Sequence, residues 1–250
     1  SGANADLWSD IPGATGSTYT CEDGDVGRRI RARLTYTRAA GNGEVSREAF
    51  SAPTEPVVNV NDRPTGELRV VGAAVEDQPL TVVSTVGDVD GLGTFAWTWQ
   101  RAPATDGPWS DIPGATLDRY TPQDEDVSQF LRVRLCYTDQ NGTVEAVCAA
   151  PTAAVANVND RPMGAVELLG EPLLGGTLGA RHNLADADGL GAVAFTWERA
   201  AQPEGPFSAI EGAAGQTYLL TEADLQQYVR AVAAFTDAAG TRETVASAPT

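Results

Sequence analysis

The stretch Phe130–Asp139, FLRVRLCYTD, alternates apolar with polar residues. Its apolar members are Leu131, Val133, Leu135 and Tyr137. A period of two is typical of a β-strand with one buried face. A second stretch, YVRAVAAFTD at 228–237, keeps the same alternation. The two stretches therefore predict two copies of one strand, each ending on Thr-Asp.

These strands belong to a longer repeat that covers nearly all of the chain. WSDIPGAT at 8–15 returns at 109–116 and, altered to FSAIEGAA, at 207–214. DVDGLG at 88–93 returns as DADGLG at 186–191. The linker NVNDRP at 59–64 returns at 157–162, which places Asn157 98 residues after Asn59. Self-similarity at a fixed period indicates consecutive units of one fold.

The register of the motifs predicts three segments. A partial repeat at 1–58 carries only the second half of a unit, and complete repeats follow at 59–156 and 157–250. Turn residues recur about every 8 to 12 positions, and Trp99 and Trp197 take matching places on a predicted third strand. The pattern predicts an all-β chain of tandem immunoglobulin-like β-sandwiches, with the two tryptophans in the cores. In the partial repeat, Ile30, Leu34 and Tyr36 are expected to expose core surface or to borrow a sheet from a neighbour.

Composition excludes several kinds of function. The 250 residues carry a net charge of −17, with 17 Arg and no Lys, which argues against binding a nucleic-acid backbone. No apolar run is long enough to insert into a membrane. The first residues include neither an initiator Met nor a leader sequence, so we expect an excised piece of a longer protein.

Catalytic groups are scarce. The cysteines, Cys21, Cys136 and Cys148, have no zinc-type spacing, and His182 is the only histidine. A chain without Lys can form neither a Schiff base nor an isopeptide bond. We therefore expect no enzyme activity. A cross-strand disulfide between Cys136 and Cys148 stays open, and His182 is expected to be an ordinary residue at the end of a strand.

The topology of a sandwich gives the acidic motifs a location. In the middle repeat the predicted strands are A at 66–72, B at 79–86, C at 94–100, F at 130–138 and G at 145–155. Loops B–C and F–G share the pole where the chain enters a repeat, here called the upstream pole. Loops A–B and E–F share the downstream pole. At the first linker the candidate ligands are Asn59, Asn61, Asp62, Asp88, Asp90 and Asp139. At the second linker they are Asp124, Asp126, Asn157, Asn159, Asp160, Asp186, Asp188 and Asp237. Glu125 and either Glu76 or Asp77 are expected nearby.

Carboxylates gathered at one linker need a counter-charge. Each pair at about 5 Å repels by roughly 3 kcal/mol at an effective dielectric constant near 20. Ca²⁺ binds six to eight oxygens from carboxylates, Asn side chains and backbone carbonyls, which is the set predicted here. Two alternatives stay open: the carboxylates turn into water, or Arg63 and Arg161 pair with them.

The linkers also resemble a known pattern. NVNDRP resembles the DxNDNxP linker of cadherins, and DVD or DAD about 28 residues later resembles the DxD of the next cadherin domain. The whole repeat is similar to tandem Ig-like or cadherin-like repeats of very large secreted bacterial proteins, notably RTX-type adhesins. This resemblance implies Ca²⁺ between successive domains, a stiffened rod, and a place outside the cell or on the bacterial surface. Asn157 and Arg161 depart from the cadherin pattern, and DED replaces DRE.

Two functions follow as expectations. The first is a calcium-stiffened extender of a secreted or cell-surface adhesin-like protein, whose partners are the neighbouring repeats of the chain. The second is an accessory module of a secreted enzyme that binds a surface glycan or protein. The insertion in TRAAGNGEVSRE at 37–48 is its best candidate site. Trp8, Trp109 and Phe207 share one slot, which favours packing over sugar binding.

Overall fold

In the computed structural model, residues 8–40 and 43–250 are described, and the side chains of residues 39, 40 and 43 are not. The tip of the insertion at 37–48 thus lies outside the described residues. The fold is all-β, as predicted: antiparallel strands are joined by turns and by three short 3₁₀ helices. These helices are η1 (Asp23–Asp25), η2 (Asp124–Asp126) and η3 (Glu222–Asp224). The described residues contain no helix with the length and apolar character needed to cross a bilayer.

The chain divides into two compact units. Unit 1 contains Ser1–Leu68, Ser84–Trp97 and Arg134–Ala149. Unit 2 contains Arg69–Val83, Thr98–Val133 and Ala150–Thr250. The division runs through the middle repeat, so the repeat boundaries at 58/59 and 156/157 stay a prediction from the sequence.

In the described part of the partial repeat, in unit 1, helix η1 precedes one β-hairpin. Strands β1 (Arg33–Ala40) and β2 (Gly43–Phe50) pair antiparallel, with Tyr36 opposite Arg47. Leu34 and Tyr36 are exposed, although their alternation is that of a buried face, and Ile30 is half-buried. Phe50 is also exposed, but it pairs with Arg33 and lies on the opposite face. Exposed core surface, one of the two expectations for this segment, is therefore present at Leu34 and Tyr36.

The middle repeat supplies seven strands. They are β3 (Leu68–Val71), β4 (Leu80–Ser84), β5 (Ala96–Ala102), β6 (Ser110–Asp111), β7 (Arg119–Tyr120), β8 (Phe130–Thr138) and β9 (Val144–Cys148). One sheet has the order β3-β4-β7 and the other β6-β5-β8-β9. Trp99 is fully buried, and its indole Nε1–H donates to the Leu117 carbonyl at 2.9 Å. Cys136 lies opposite Ala146 and Cys148 opposite Arg134, and both thiols are free.

The third repeat, in unit 2, repeats this arrangement. Its strands are β10 (Val166–Leu169), β11 (Thr177–His182), β12 (Ala194–Ala200), β13 (Ser208–Ala214), β14 (Thr217–Leu219), β15 (Tyr228–Thr236) and β16 (Arg242–Ala246). The sheet orders are β10-β11-β14 and β13-β12-β15-β16. Leu178, Trp197, Val229 and Phe235 fill the core between these sheets. His182 ends β11 and accepts the Leu184 N–H through Nδ1, as expected for a strand-end residue.

Candidate functional site

Glycines fix the acidic B–C loops. In DADGLG, Gly189 has a φ of 93°, a region that residues with a Cβ rarely adopt. A Cβ at Gly191 would lie 2.0 Å from the carbonyl oxygen of Thr236. The DVDGLG loop has the same requirements, because Gly91 has a φ of 90° and a Cβ at Gly93 would lie 1.9 Å from the Thr138 carbonyl oxygen. The glycines therefore press each Asp-x-Asp segment against the end of strand β8 or β15.

The third repeat gathers three carboxylates at its upstream pole. One oxygen from each of Asp186, Asp188 and Asp237 lies within 4.8 Å of the others, and we call this set the DxD cluster. The Asp188 N–H donates to Asp186 Oδ1 at 3.0 Å, and the Thr241 N–H donates to Asp237 Oδ1 at 2.7 Å. Asp186 Oδ2 and Asp237 Oδ2 are buried and have no hydrogen-bond partner among the described residues.

A second group forms where the linker leaves the middle repeat. Oxygens of Glu76, Asp124 and Asp160 lie within 4.8 Å of one another, and we call this set the linker cluster. Glu76 is 1% exposed, and its Oε2 accepts the Val158 N–H at 3.0 Å. Its other oxygen, Oε1, is buried without a partner among the described residues. Burial raises the pKa of Glu76, and the nearby carboxylates of Asp124 and Asp160 raise it further.

Asp160 joins the two clusters, which both lie in unit 2. Its backbone N–H donates to Asp188 Oδ2 at 2.8 Å, while its carboxylate belongs to the linker cluster. Burial raises the pKa of Asp160, and Asp124, Asp188, Asp77 and Asp186 add to that rise. A cleft of about 480 Å³, lined in part by Asp124, Asn157 and Asp188, opens at this point. The second linker therefore concentrates negative charge around one accessible cleft.

The first linker, in unit 1, meets its acidic pole in a similar way. The Asp62 N–H donates to Asp90 Oδ2 at 2.7 Å. Burial raises the pKa of Asp62, with Asp23, Asp90 and Asp88 contributing. Asn59 Oδ1 and Asp139 Oδ2 are buried without a partner among the described residues. Unlike its counterpart Asp186, Asp88 is capped, because the Tyr137 hydroxyl donates to its Oδ2.

The second Asn of each linker has a separate task. Asn61 Nδ2 donates to Glu145 Oε1 at 2.7 Å, and Asn159 Nδ2 donates to Glu243 Oε1 at 2.8 Å. These amides tie the linker to the last strand of the repeat that follows it. Among the described residues, Arg63 and Arg161 form no ion pair with the acidic groups, so the alternative of arginine neutralisation is not what the structure shows.

Asp126 has a different role from the predicted ligand role. It is fully buried; its Oδ1 accepts Arg101 Nη1–H at 3.0 Å, and its Oδ2 accepts the Tyr120 hydroxyl and the Gln123 N–H. Asp224 makes the corresponding bonds to Arg199 and Tyr218. Both carboxylates are satisfied within the turn before a strand. Asp126 therefore stabilises the turn, and we remove it from the candidate calcium ligands.

Three residues that the candidate ligand set omitted matter to the sites. The sequence pattern does not distinguish Glu76 from Asp77 as the acidic residue near the second linker. Leu174 occupies the position of Glu76 in the third repeat, so comparison of the repeats does not identify Glu76 as a ligand. Asp23 lies in DGD, the copy of DED, and this correspondence could have identified it. The alternation of its strand predicts only that Tyr137 is a core residue. A tyrosine hydroxyl at the end of a strand can nevertheless reach a carboxylate in a neighbouring loop.

The shared aromatic slot is covered by guanidinium groups. Arg132 lies 4.2 Å from the Trp109 ring centroid, and Arg230 lies 3.9 Å from that of Phe207. In the partial repeat, Arg31 lies over both Trp8 and Phe50. Cation–π stacking of this kind occupies the ring face that a sugar would use. The aromatic rings at this shared position therefore pack against arginine side chains.

The clusters match the needs of a hard cation. Ca²⁺ takes oxygen ligands, and the second linker offers carboxylate oxygens from Glu76, Asp124, Asp160 and the DxD cluster. Buried polar atoms are almost always hydrogen bonded, so Glu76 Oε1, Asp186 Oδ2 and Asp237 Oδ2 are exceptions that require an explanation. A divalent ion in each cluster would satisfy these oxygens and would offset the repulsion that raises the carboxyl pKa values.

No protein-family model and no curated protein matches this chain. Among solved structures, it is similar to the FN1–FN3 domains of chicken CNTN1, with 13% identity, 86% of this chain and 77% of that one covered, and a TM-score of 0.23. It is also similar to domains A168–A170 of titin, with 14% identity, 92% and 76% covered, and a TM-score of 0.26. The fold assignment rests on the sheets of the chain itself.

Proposed function

We propose that this chain is a calcium-stiffened structural extender of a secreted or cell-surface bacterial adhesin-like protein. One observation carries the proposal: three buried carboxylate oxygens, one in the linker cluster and two in the DxD cluster, have no hydrogen-bond partner among the described residues. An ion in the linker cluster would join Glu76 of the middle repeat to Asp160 of the linker, whose N–H is bonded to Asp188 of the DxD cluster. The partners of this segment are then the neighbouring repeats, and it catalyses no reaction.

The chemistry of the linker supports this role. Pro162 restricts the backbone φ, and Asn159 binds Glu243 of the following strand, so few degrees of freedom are left for the cation to fix. Calcium modules outside cells bind with dissociation constants of about 10⁻⁴ to 10⁻³ M. We therefore expect a segment that is stiff at extracellular calcium concentrations and loose below them. A glycan-binding role has less support, because arginines cover the Trp109 and Phe207 rings.

Calcium titration of the whole chain tests the proposal. We expect Ca²⁺ to raise both the radius of gyration, measured by X-ray scattering, and the melting temperature, with EGTA reversing both. If neither quantity responds to calcium, the extender is not calcium-stiffened.

The variant Glu76→Gln makes the test specific to the linker cluster. Without calcium it should be as stable as the unmodified chain or more so, because it removes an uncompensated buried charge. With calcium it should lose most of the rise in melting temperature. Glu204→Gln, a change at an exposed loop residue, is the matched control and should leave the calcium response intact.

A further inference from the structure

The middle repeat holds an extended segment of its own chain in a groove at its downstream pole. The Val155 N–H donates to the Gln129 carbonyl at 2.9 Å, and the Ser128 N–H donates to the Val155 carbonyl at 2.9 Å. On the other side of the groove, Ala156 exchanges main-chain hydrogen bonds with the 74–76 loop. Val155 is 2% exposed, so its side chain is buried in the groove.

The described residues of the partial repeat bind the equivalent segment through one of these two walls. There the Val57 N–H donates to the Arg28 carbonyl at 2.8 Å, and the Gly27 N–H donates to the Val57 carbonyl at 2.9 Å. Val26 and Val57 form a parallel bridge, as Val127 and Val155 do in the middle repeat. In two repeats, therefore, a strand with a central Val occupies the downstream groove.

The third repeat has the same groove backbone. Gln226 has a φ of 59°, matching Ser128 at 64°. The Gly175 N–H donates to the Leu220 carbonyl at 3.1 Å, which repeats the bond from Asp77 to Pro122 at 3.1 Å. Because these bonds hold both walls in place, the third groove is formed before any segment enters it.

No segment within residues 8–40 and 43–250 occupies this third groove. It is a cleft of about 130 Å³ whose apolar lining includes Leu173, Leu174 and Leu225, which are 66%, 56% and 57% exposed. The Gln226 N–H and the Gln227 carbonyl stand where Ser128 and Gln129 bind Val155. Within residues 8–40 and 43–250, no backbone hydrogen bond uses either group. A cleft with exposed leucines in its wall and an unused backbone donor and acceptor at its edge fits a polypeptide strand.

We propose that the downstream groove of the third repeat binds an extended peptide of the chemistry of residues 153–158, AAVANV. The peptide adds a short parallel bridge to Leu225, its Val side chain packs against the leucines of the cleft, and its main chain bonds Gln226 and Gln227. Small residues on either side of the Val let the strand lie close to the wall. A second copy is a poor source of this strand, because residues 153–158 of each copy already fill its own middle groove.

The groove works without a cation. Glu76, whose carboxylate accepts Val158 N–H in the middle repeat, is replaced by Leu174, so the third groove lacks the carboxylate that belongs to the linker cluster. Peptide binding is therefore independent of calcium. Its failure would leave the proposed calcium function untouched, and the reverse also holds.

Binding of a synthetic peptide to the whole chain tests the proposal. The probe is residues 153–158 with blocked ends, titrated in EGTA and followed by hydrogen exchange of the Gln226 amide. At about ten times its dissociation constant, the peptide should slow that exchange about tenfold. A second arm appends a copy of residues 153–158 after Thr250, which should protect the same amide without added peptide.

Matched variants distinguish peptide binding in the groove from nonspecific hydrophobic binding. Leu225→Asp and a peptide carrying Val155→Asp should both abolish protection, whereas Leu219→Asp, at an exposed leucine of β14, should not. Two results would overturn the proposal: no protection of the Gln226 amide in either arm, or protection that persists in Leu225→Asp. A concentration-dependent dimer that itself protects Gln226 and excludes the peptide would assign the groove to a second copy instead, and would also overturn it.

Discussion

The upstream poles of the middle and third repeats carry the same three aspartates but surround them with different donors. In the middle repeat, the Tyr137 hydroxyl donates to Asp88, and Asn141 Nδ2 donates to Asp90 Oδ1 at 3.1 Å. In the third repeat, Phe235 and Ala239 take those two positions. Asp186 Oδ2 is consequently buried without a partner among the described residues.

This difference shows that a repeated acidic motif does not define a repeated site. DVDG and DADG fold in the same way, yet the residues at the end of the F strand and in the F–G loop decide how many carboxylate oxygens stay free. The middle pole is partly satisfied by its own side chains. The third pole leaves more of its oxygens for an external cation.

Replacing one aspartate at the upstream pole of the middle or the third repeat should produce the largest effect, a loss of calcium affinity. Asp188→Asn keeps an oxygen for the Asp160 N–H but lowers the negative charge of the DxD cluster. We expect calcium affinity at the second linker to fall by about tenfold or more, since affinity follows the number of charged ligands. Isothermal titration calorimetry measures the loss.

Asp90→Asn is the equivalent change in the middle pole and serves as its matched control. Because Asn141 and the Asp62 N–H already occupy the Asp90 oxygens, calcium binding should change less than in Asp188→Asn. Equal losses in the two variants would show that the donors on the F strand and F–G loop do not set the difference between the poles.

Exchanging the tyrosine and the phenylalanine should produce the next largest effect. Tyr137→Phe removes the hydroxyl that caps Asp88 and should lower the unfolding free energy by about 1–3 kcal/mol in EGTA, the cost of a buried unsatisfied acceptor. Phe235→Tyr should do the opposite at Asp186: it stabilises the calcium-free chain and weakens calcium binding. Denaturant unfolding with and without calcium measures both changes.

The reciprocal design supplies its own control. The double variant Tyr137→Phe and Phe235→Tyr should transfer the stronger calcium dependence of amide exchange from the β15–β16 region to the β8–β9 region. If both regions keep their original calcium dependence, the hydroxyl is not the determinant.

Much of the fold could be predicted because it depends on local patterns. The alternation in FLRVRLCYTD became β8, and Trp99 and Trp197 are fully buried as the aromatic strands indicated. The pairing register of β8 and β9 could not be predicted. A cross-strand disulfide looked open, but Cys136 faces Ala146, since register depends on the turn at 139–143.

The site was only partly predictable for a different reason. Sequence repeats located Asp160 and the DxD cluster, which the structure brings to one linker. They also suggested Asp126, which repeats because its turn needs it, not because a ligand does. Glu76 has no copy in the third repeat and is nevertheless the most buried member of the linker cluster. Repetition thus identifies residues that every unit needs and overlooks those that distinguish one junction.

The smallest expected effect is a pH dependence of the unfolding free energy that comes from the upstream pole of the third repeat, where Phe235 replaces the tyrosine that binds Asp88 in the middle repeat. Burial raises the pKa of Asp186 above its ordinary value of 3.8, and Asp188, Asp237 and Glu243 add to that rise, while the Asp188 N–H opposes it. Near neutral pH and without calcium, the Asp186 carboxylate is ionised in both states. Its ionisation is less favourable in the folded chain than in the unfolded chain. As the pH falls through the raised folded value, protonation occurs first in the folded chain, so this contribution to stability increases. Below the ordinary value both states are protonated and the gain is complete.

Asp186→Asn cannot be protonated and isolates this contribution from the titration of the other acidic groups. In EGTA, the unfolding free energy of the unmodified chain minus that of Asp186→Asn should rise as the pH is lowered from about 7 to about 4. With saturating calcium the difference should fall instead, because protons then compete with the ion for the same oxygen. A difference that stays flat in EGTA would mean that Asp186 is already satisfied in solution. In that case, the two poles would differ in sequence but not in the charge they leave uncompensated.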